Sequence, residues 1–168
     1  MTRKPGTQRR VKTLSVRDEI APCIARFSPQ VAAQLKAARG RLRIMFPRGC
    51  ELVYDNYNAL VFAFAPSDRT SEAVLSVAAY PRWVTLFFAN GAKLRDPDKL
   101  LRGEGSRVRG VRLASAARLD DPGVRALIEQ ALLAHRAAFL AAPALRTTIK
   151  SLSAKRRARR PSAATAGN

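Results

Sequence analysis

The apolar positions follow a helical period in the first third of the chain. From Ser15, an S-x-x-D capping box and apolar residues at helical spacing predict a short helix that ends near Phe27. Ser28-Pro29 then predicts the start of a second helix, which Pro47 ends. The apolar stripe of this second helix consists of Val31, Leu35, Ala38, Leu42 and Met45. Its basic residues, Lys36, Arg39, Arg41 and Arg43, fall mostly outside that stripe.

Beyond Cys50 the period changes to that of β-strands. Short apolar runs between Pro, Gly and Asn turn signals predict strands at 60–65, 74–80, 83–89 and 108–113. A last helix is expected from Pro122 to Pro143, with His135 on its apolar face. Helices, then strands, then a helix predict a two-layer α+β domain. We expect a mainly antiparallel sheet of four to five strands with N-terminal and C-terminal helices packed on it.

The chain is strongly basic, and most of the excess positive charge lies near its two ends. Its 168 residues carry 31 Lys and Arg against 12 Asp and Glu, a net charge of +19. Six basic and no acidic side chains fall in residues 1–17, and seven basic and no acidic ones fall in residues 144–168. We therefore expect a flexible basic arm at 1–14, the α+β domain at 15–143 and a disordered basic tail at 144–168.

Cysteine usage and hydropathy favour a soluble cytoplasmic protein. Cys23 and Cys50 lie far apart and form no CxxC pair, which favours reduced structural thiols. No segment approaches the roughly 20 apolar residues of a membrane span, so no membrane partner is expected. The pattern specifies no oligomeric state.

No motif predicts catalysis or a cofactor. Gly103, Gly105 and Gly110 miss the GxGxxG spacing, and the chain contains no Walker pattern. The single histidine, His135, has no second histidine with which to form a metal site or a catalytic set. We therefore expect a non-enzymatic protein with no catalytic residues, no cofactor and no metal site.

Two segments are candidates for binding an unknown small polar or anionic ligand in one joint pocket between them, which requires the two segments to be neighbours in the fold. Residues 51–58 combine aromatic bodies with hydrogen-bonding groups, as small-molecule pockets do, and a sheet edge with Asx turns explains them equally well. The Gly-rich loop before the last strand could hold an anion, or it could be a plain turn with solvated arginines. The candidate ligand-binding residues are Tyr54, Asp55, Asn56, Tyr57, Ser106, Arg107 and Arg109.

The basic C-terminal tail suggests sequence-independent contact with nucleic acid. A cluster of cations without acids attracts phosphate, but the alternative of a solubilising tail is favoured because the tail carries no aromatic residue to stack on bases. The candidate contact residues are Lys155, Arg156, Arg157, Arg159 and Arg160.

Residues 27 to about 142 resemble the YdhG-like domain, a bacterial domain of unknown function. The resemblance rests on FSPQVAAQL at 27–35, ELVYDNYNALVFAF at 51–64 and the DP-x-x-LL-x-G-x-G segment at 96–105, which a basic strand follows. It implies a compact cytoplasmic α+β domain without an established catalytic activity, in which the DNYN element and Arg109 are the natural functional positions. One member of the wider family is described as a frataxin-like iron chaperone, which makes iron handling a third functional alternative.

Overall fold

A computed structural model describes residues 14–154 and 157–161 of the chain. The predicted basic arm, apart from Leu14, and the candidate contacts Lys155 and Arg156 lie outside the described residues. The α-helices are α1 (Val16–Ala25), α2 (Pro29–Met45), α3 (Pro122–Leu133) and α4 (Arg136–Ala141). The strands are β1 (Cys50–Asp55), β2 (Leu60–Ala65), β3 (Leu75–Ala79), β4 (Val84–Phe88), β5 (Arg109–Leu113) and β6 (Arg146–Ser151).

The first two helices begin at the capping residues that the sequence predicted. Ser15 Oγ accepts the backbone N–H of Asp18 at 3.2 Å, and the Asp18 carboxylate accepts the backbone N–H of Ser15 at 3.3 Å. At the second start, Ser28 Oγ accepts the N–H of Val31 at 3.3 Å. These contacts satisfy backbone donors that the first turn of a helix leaves unpaired, so both helix starts are confirmed.

The strands form one mixed sheet in the order β5-β4-β3-β2-β1-β6. Neighbouring strands from β1 to β5 pair antiparallel, and β6 pairs parallel with β1. The α+β class is therefore confirmed, whereas the sheet has six strands instead of the predicted four to five. The parallel pair makes the sheet mixed.

The sixth strand lies in the segment that the sequence assigned to a disordered tail. The sequence of β6, RTTIKS, carries a single large apolar residue, Ile149, and so gives no apolar alternation to recognise. Its order comes instead from backbone pairing with the otherwise open edge of β1 and from Ile149, which packs against the main core. The C-terminal residues 146–151 are therefore part of the domain, which corrects the predicted boundary at 143.

The last helical region is broken where the sequence predicted one continuous helix. The backbone at His135 has φ −120° and ψ 7°, which is outside the helical region, and it separates α3 from α4. His135 is half-buried at the start of α4.

All four α-helices described lie on one side of the sheet. Their buried side chains share a single core with every second residue of strands β1 to β5, including Val53, Phe62, Val77 and Leu86. The other side of the sheet, here called the open face, carries a separate small cluster around Leu52 and small side chains of the central strands. Within residues 14–154 and 157–161, no helix combines the length and apolar composition needed to span a bilayer.

Candidate functional site

The arginines of the Gly-rich loop are used to close the loop itself. Arg109 Nη1 donates to the backbone carbonyls of Gly105 and Val108. Arg107 donates through Nε and Nη2 to Asn90 Oδ1, at 3.1 and 2.9 Å. Both guanidinium groups already donate hydrogen bonds to neutral oxygens of the protein. The geometry therefore favours the interpretation of the loop as a plain turn over its interpretation as an anion site.

The structure does not bring the two candidate segments together. Tyr54 and Asn56 lie at the end of β1, whereas Arg109 starts β5, four strand positions away in the sheet. At about 4.8 Å per strand, this places them about 19 Å apart across the sheet alone. The register adds to the separation, since Asp55 aligns through the sheet with Leu113 and not with Arg109. A single small-ligand pocket cannot contain both segments, and Ser106 and Arg107 lie still further along the loop.

Around the β1–β2 turn, Asn56, Tyr54 and Tyr57 each make a different contact. Asn56 donates its backbone N–H to the carbonyl of Ala59 at 2.9 Å, which closes the turn. Tyr54 points to the open face, where its hydroxyl shares a 2.7 Å hydrogen bond with Thr70 Oγ1. Tyr57 is exposed, and the guanidinium of Arg157 lies 5.1 Å from its ring centre.

Asp55 differs from its neighbours because its side chain is buried beneath two arginines. Arg26, at the end of α1, lies 2.9 Å from Asp55 Oδ2, and Arg159 lies 2.7 Å from Oδ1. The backbone N–H of Ser153 also donates to Oδ2, at 3.1 Å. The Cys23 sulfur lies 3.9 Å from the same oxygen. Asp55 therefore fastens Ser153 and Arg159 to the domain.

Arg159, expected to contact nucleic acid, is an internal residue with only 5% of its surface exposed. Its guanidinium lies 5.6 Å from the ring centre of Phe27 and donates to the backbone carbonyl of Asn56. Burial lowers the pKa of Arg159 against the opposing charge of Asp55. This position corrects the predicted role, because a cation enclosed in this way is not presented to phosphate. Arg157 and Arg160 are exposed.

A second buried carboxylate, Glu51, was not singled out from the sequence. It lies at the start of β1 with no exposed surface and faces the helices. Arg39 donates to both carboxylate oxygens, at 2.7 and 2.8 Å, and Arg43 donates to Oε2 at 2.5 Å. The Thr147 hydroxyl of β6 supplies a further hydrogen bond at 2.7 Å.

These partners control the ionisation of Glu51. Burial alone would raise the pKa of its carboxyl group. The hydrogen bonds and positive charge of Arg39, with smaller contributions from Thr147 and Arg43, outweigh burial and hold the pKa below its ordinary value of 4.5. Glu51 is therefore a permanent anion at neutral pH, and it fixes two arginines of α2 in place.

Those two arginines form one wall of a groove of about 630 Å³ between α1 and α2. Among the described residues that line it, four are cationic and none is acidic, and its floor is apolar. The lining residues are Val16, Arg17, Ile20, Ala21, Ile24, Lys36, Arg39, Gly40, Arg43 and Thr147. Since Glu51 supplies one negative charge behind the wall, the groove keeps a strong excess of positive charge.

A sequence signal for this groove existed. Lys36, Arg39, Gly40 and Arg43 are spaced as i, i+3, i+4 and i+7, which places them on one face of α2. The stripe could have been recognised as a basic face that contains a glycine. Its counter-ion Glu51 could not, because that pairing depends on the packing of α2 against β1.

The groups with metal-binding chemistry are dispersed. Within the described part of the chain, no group of three or more His, Cys, Asp or Glu side chains is placed to hold a metal ion. Cys23 and Cys50 are not joined in a disulfide. The iron-handling alternative therefore remains a prediction that no described ligand set supports.

Comparisons with protein-family models, curated proteins and solved structures found no match for this chain. The resemblance to the YdhG-like domain stays a prediction.

Proposed function

We propose that the protein is a non-enzymatic cytoplasmic binding module that holds a small anionic ligand in the α1–α2 groove. The observation that carries this proposal is Gly40. A glycine inside a helix destabilises it by about 0.5–1 kcal/mol relative to alanine. At Gly40, a Cβ atom would meet nothing within 4 Å, so close packing within the protein does not account for the glycine. A ligand that approaches the α2 backbone would account for the glycine.

The charges of the groove select an anion. Arg17 and Lys36 are exposed at the groove, and Arg39 and Arg43 are directed by Glu51. Arg39 is fixed further because its guanidinium lies 4.3 Å from the ring centre of Phe62. Binding an anion beside such an arginine costs little side-chain entropy, since the protein has already ordered the arginine.

The floor of the groove selects an apolar group next to that anion. Ile20 and Ile24 of α1 are buried in the core below the groove, and Val16 is 39% exposed at its rim. An alkyl or aromatic group against this floor would remove apolar surface from water. The chemistry therefore fits a carboxylate or phosphate that carries a short apolar group.

Substitution at Gly40 tests the proposal without disturbing the core. Gly40→Leu fills the groove and keeps a good helix former, whereas Ala37→Leu, at an exposed position of α2 that does not line the groove, serves as the matched control. We expect hexyl phosphate to raise the Tm of the wild type and of Ala37→Leu, but not that of Gly40→Leu. Inorganic phosphate supplies only the anion and hexanol only the apolar group, so each should raise the Tm less than hexyl phosphate does. An equal shift in Gly40→Leu, or no shift in the wild type, would contradict the proposal.

A further inference from the structure

The open face of the sheet is built differently from the face that the helices cover. Its central positions carry small side chains, which extend only a short distance from the backbone of the sheet. These residues are Ala63, Ser76, Ala78, Thr85 and Gly110. None of the four α-helices described packs on them, because the helices share their core with the opposite side of the sheet.

The aromatic residues are divided between the two faces by type. On the helix side, Phe62, Phe64 and Phe88 are fully buried. Strand alternation places Tyr54, Tyr80, Trp83 and Phe87 on the open face. Trp83 is 36% exposed and the other three are half-buried. The open face therefore presents aromatic surface around a floor of small residues.

Two of these rings are held in place by their neighbours. The ring centres of Tyr80 and Trp83 lie 5.7 Å apart. The guanidinium of Arg112 lies 4.8 Å from the ring centre of Trp83. Phe87 lies against Gly110 of β5, where a Cβ atom would be 2.9 Å from two ring carbons. Gly110 thus allows the Phe87 ring to lean across the neighbouring strand.

Positive charge accompanies the exposed aromatic surface. Arg112 on β5 and Arg82 in the β3–β4 turn are both exposed at the Trp83 end of the face. The whole chain carries a net charge of +19, which attracts polyanions over a long range. Aromatic rings beside cations on a sheet face that none of the described α-helices covers suit unpaired bases and their phosphates. A duplex suits this face less well, because its bases are already stacked on one another.

We propose that the open face binds single-stranded nucleic acid. Bases stack on Trp83 and Phe87, and phosphates pair with Arg112 and Arg82. Stacking and phosphate contact are both tolerant of sequence, so the binding has little base preference. This site is separate from the α1–α2 groove, which lies on the helix side of the sheet.

The protein carries a built-in reporter, since Trp83 is its only tryptophan. Titration of the full chain with twelve-residue oligo-dT and oligo-U should quench the Trp83 emission as bases stack on the indole. The same titration with a twelve-base-pair duplex should quench it far less. Binding of the single strands without quenching, as contact through the basic ends alone would give, would overturn the proposal.

Substitutions locate the contact. We expect Arg112→Gln to weaken oligo-dT binding about fivefold or more and to lower the slope of log affinity against log salt by about 0.7. Phe87→Ala should weaken it by a similar factor. Arg125→Gln is the matched control, because it removes one exposed positive charge from α3 on the opposite layer. Equal losses in Arg112→Gln and Arg125→Gln, or no single-strand binding at all, would overturn the proposal.

Discussion

Two buried carboxylates stand at opposite ends of β1, and they differ in where their partners come from. Glu51 is held mainly by Arg39 and Arg43 of α2, within 12 residues of it in sequence. Asp55 is held by Arg26 and by a C-terminal segment, whose Ser153 is 98 residues away. Both charges are buried on the helix side of the same strand. Of the two, Asp55 alone has partners, Ser153 and Arg159, that lie outside the described helices and strands.

The difference shows two uses of a buried ion pair. At Glu51, neutralising one carboxylate orders two arginines that line the groove. At Asp55, the same chemistry fastens a segment that has few apolar side chains of its own. Removing one partner of a buried pair leaves the other charge without compensation unless that charge can move into water. The freedom of the partner to move should therefore decide the size of each effect.

Glu51→Gln should have the largest effect. The change leaves Arg39 and Arg43 without a counter-ion, and helix α2 prevents them from moving far from β1. We expect the free energy of unfolding to fall by about 3–5 kcal/mol, measured by urea denaturation at pH 7. Glu129→Gln, an identical change at an exposed position of α3, is the control. A loss no larger than in that control would show that the buried pair contributes nothing to stability.

Asp55→Asn should have an intermediate effect of about 1–3 kcal/mol. Here Arg159 can return to water together with its segment, which limits the cost of leaving it unpaired. Hydrogen exchange should then speed up at the backbone N–H of Ser153, which donates to Asp55, and at that of Arg159, which donates to Arg26 at 2.7 Å. Arg159→Ala should release the same two amides. Persistent protection of both amides in Asp55→Asn would contradict the role of Asp55 as a fastener.

The smallest effect is expected from pH. The pKa of Glu51 is lowered in the folded state, so its contribution to stability is present above the ordinary pKa of 4.5 and is lost as the pH falls through the folded value. The stability difference between the wild type and Glu51→Gln should therefore be constant from pH 7 to about pH 5 and should shrink below that. A difference that stays constant down to pH 3 would contradict the lowered pKa.

Sequence reasoning succeeded where the structural signal is local. The capping residues Ser15 and Ser28 and the apolar stripe of α2 act within one or two helical turns, and the short apolar runs of β2 to β5 are recognisable on their own. Each of these features depends on neighbours in the sequence. Their positions were therefore accessible before the fold was known.

The features that escaped prediction depend on distant parts of the chain. RTTIKS becomes β6 only because β1 offers it an edge, and Arg159 is enclosed only because Asp55 and Phe27 are brought beneath it. The proposed joint pocket failed for the same reason. Strand order places the DNYN element and Arg109 four strand positions apart, towards opposite edges of the sheet, and nothing in either segment encodes that order.

The parallel pairing of β6 with β1 also has a consequence for synthesis on the ribosome. Among the described residues, the first strand made lies beside the last strand made, and 96 residues separate the paired Cys50 and Arg146. At about 5–20 residues per second, translation leaves that edge of β1 without its partner for about 5–20 s. During this interval Glu51 lacks its bond from Thr147, and β1 is open to pairing with other nascent chains.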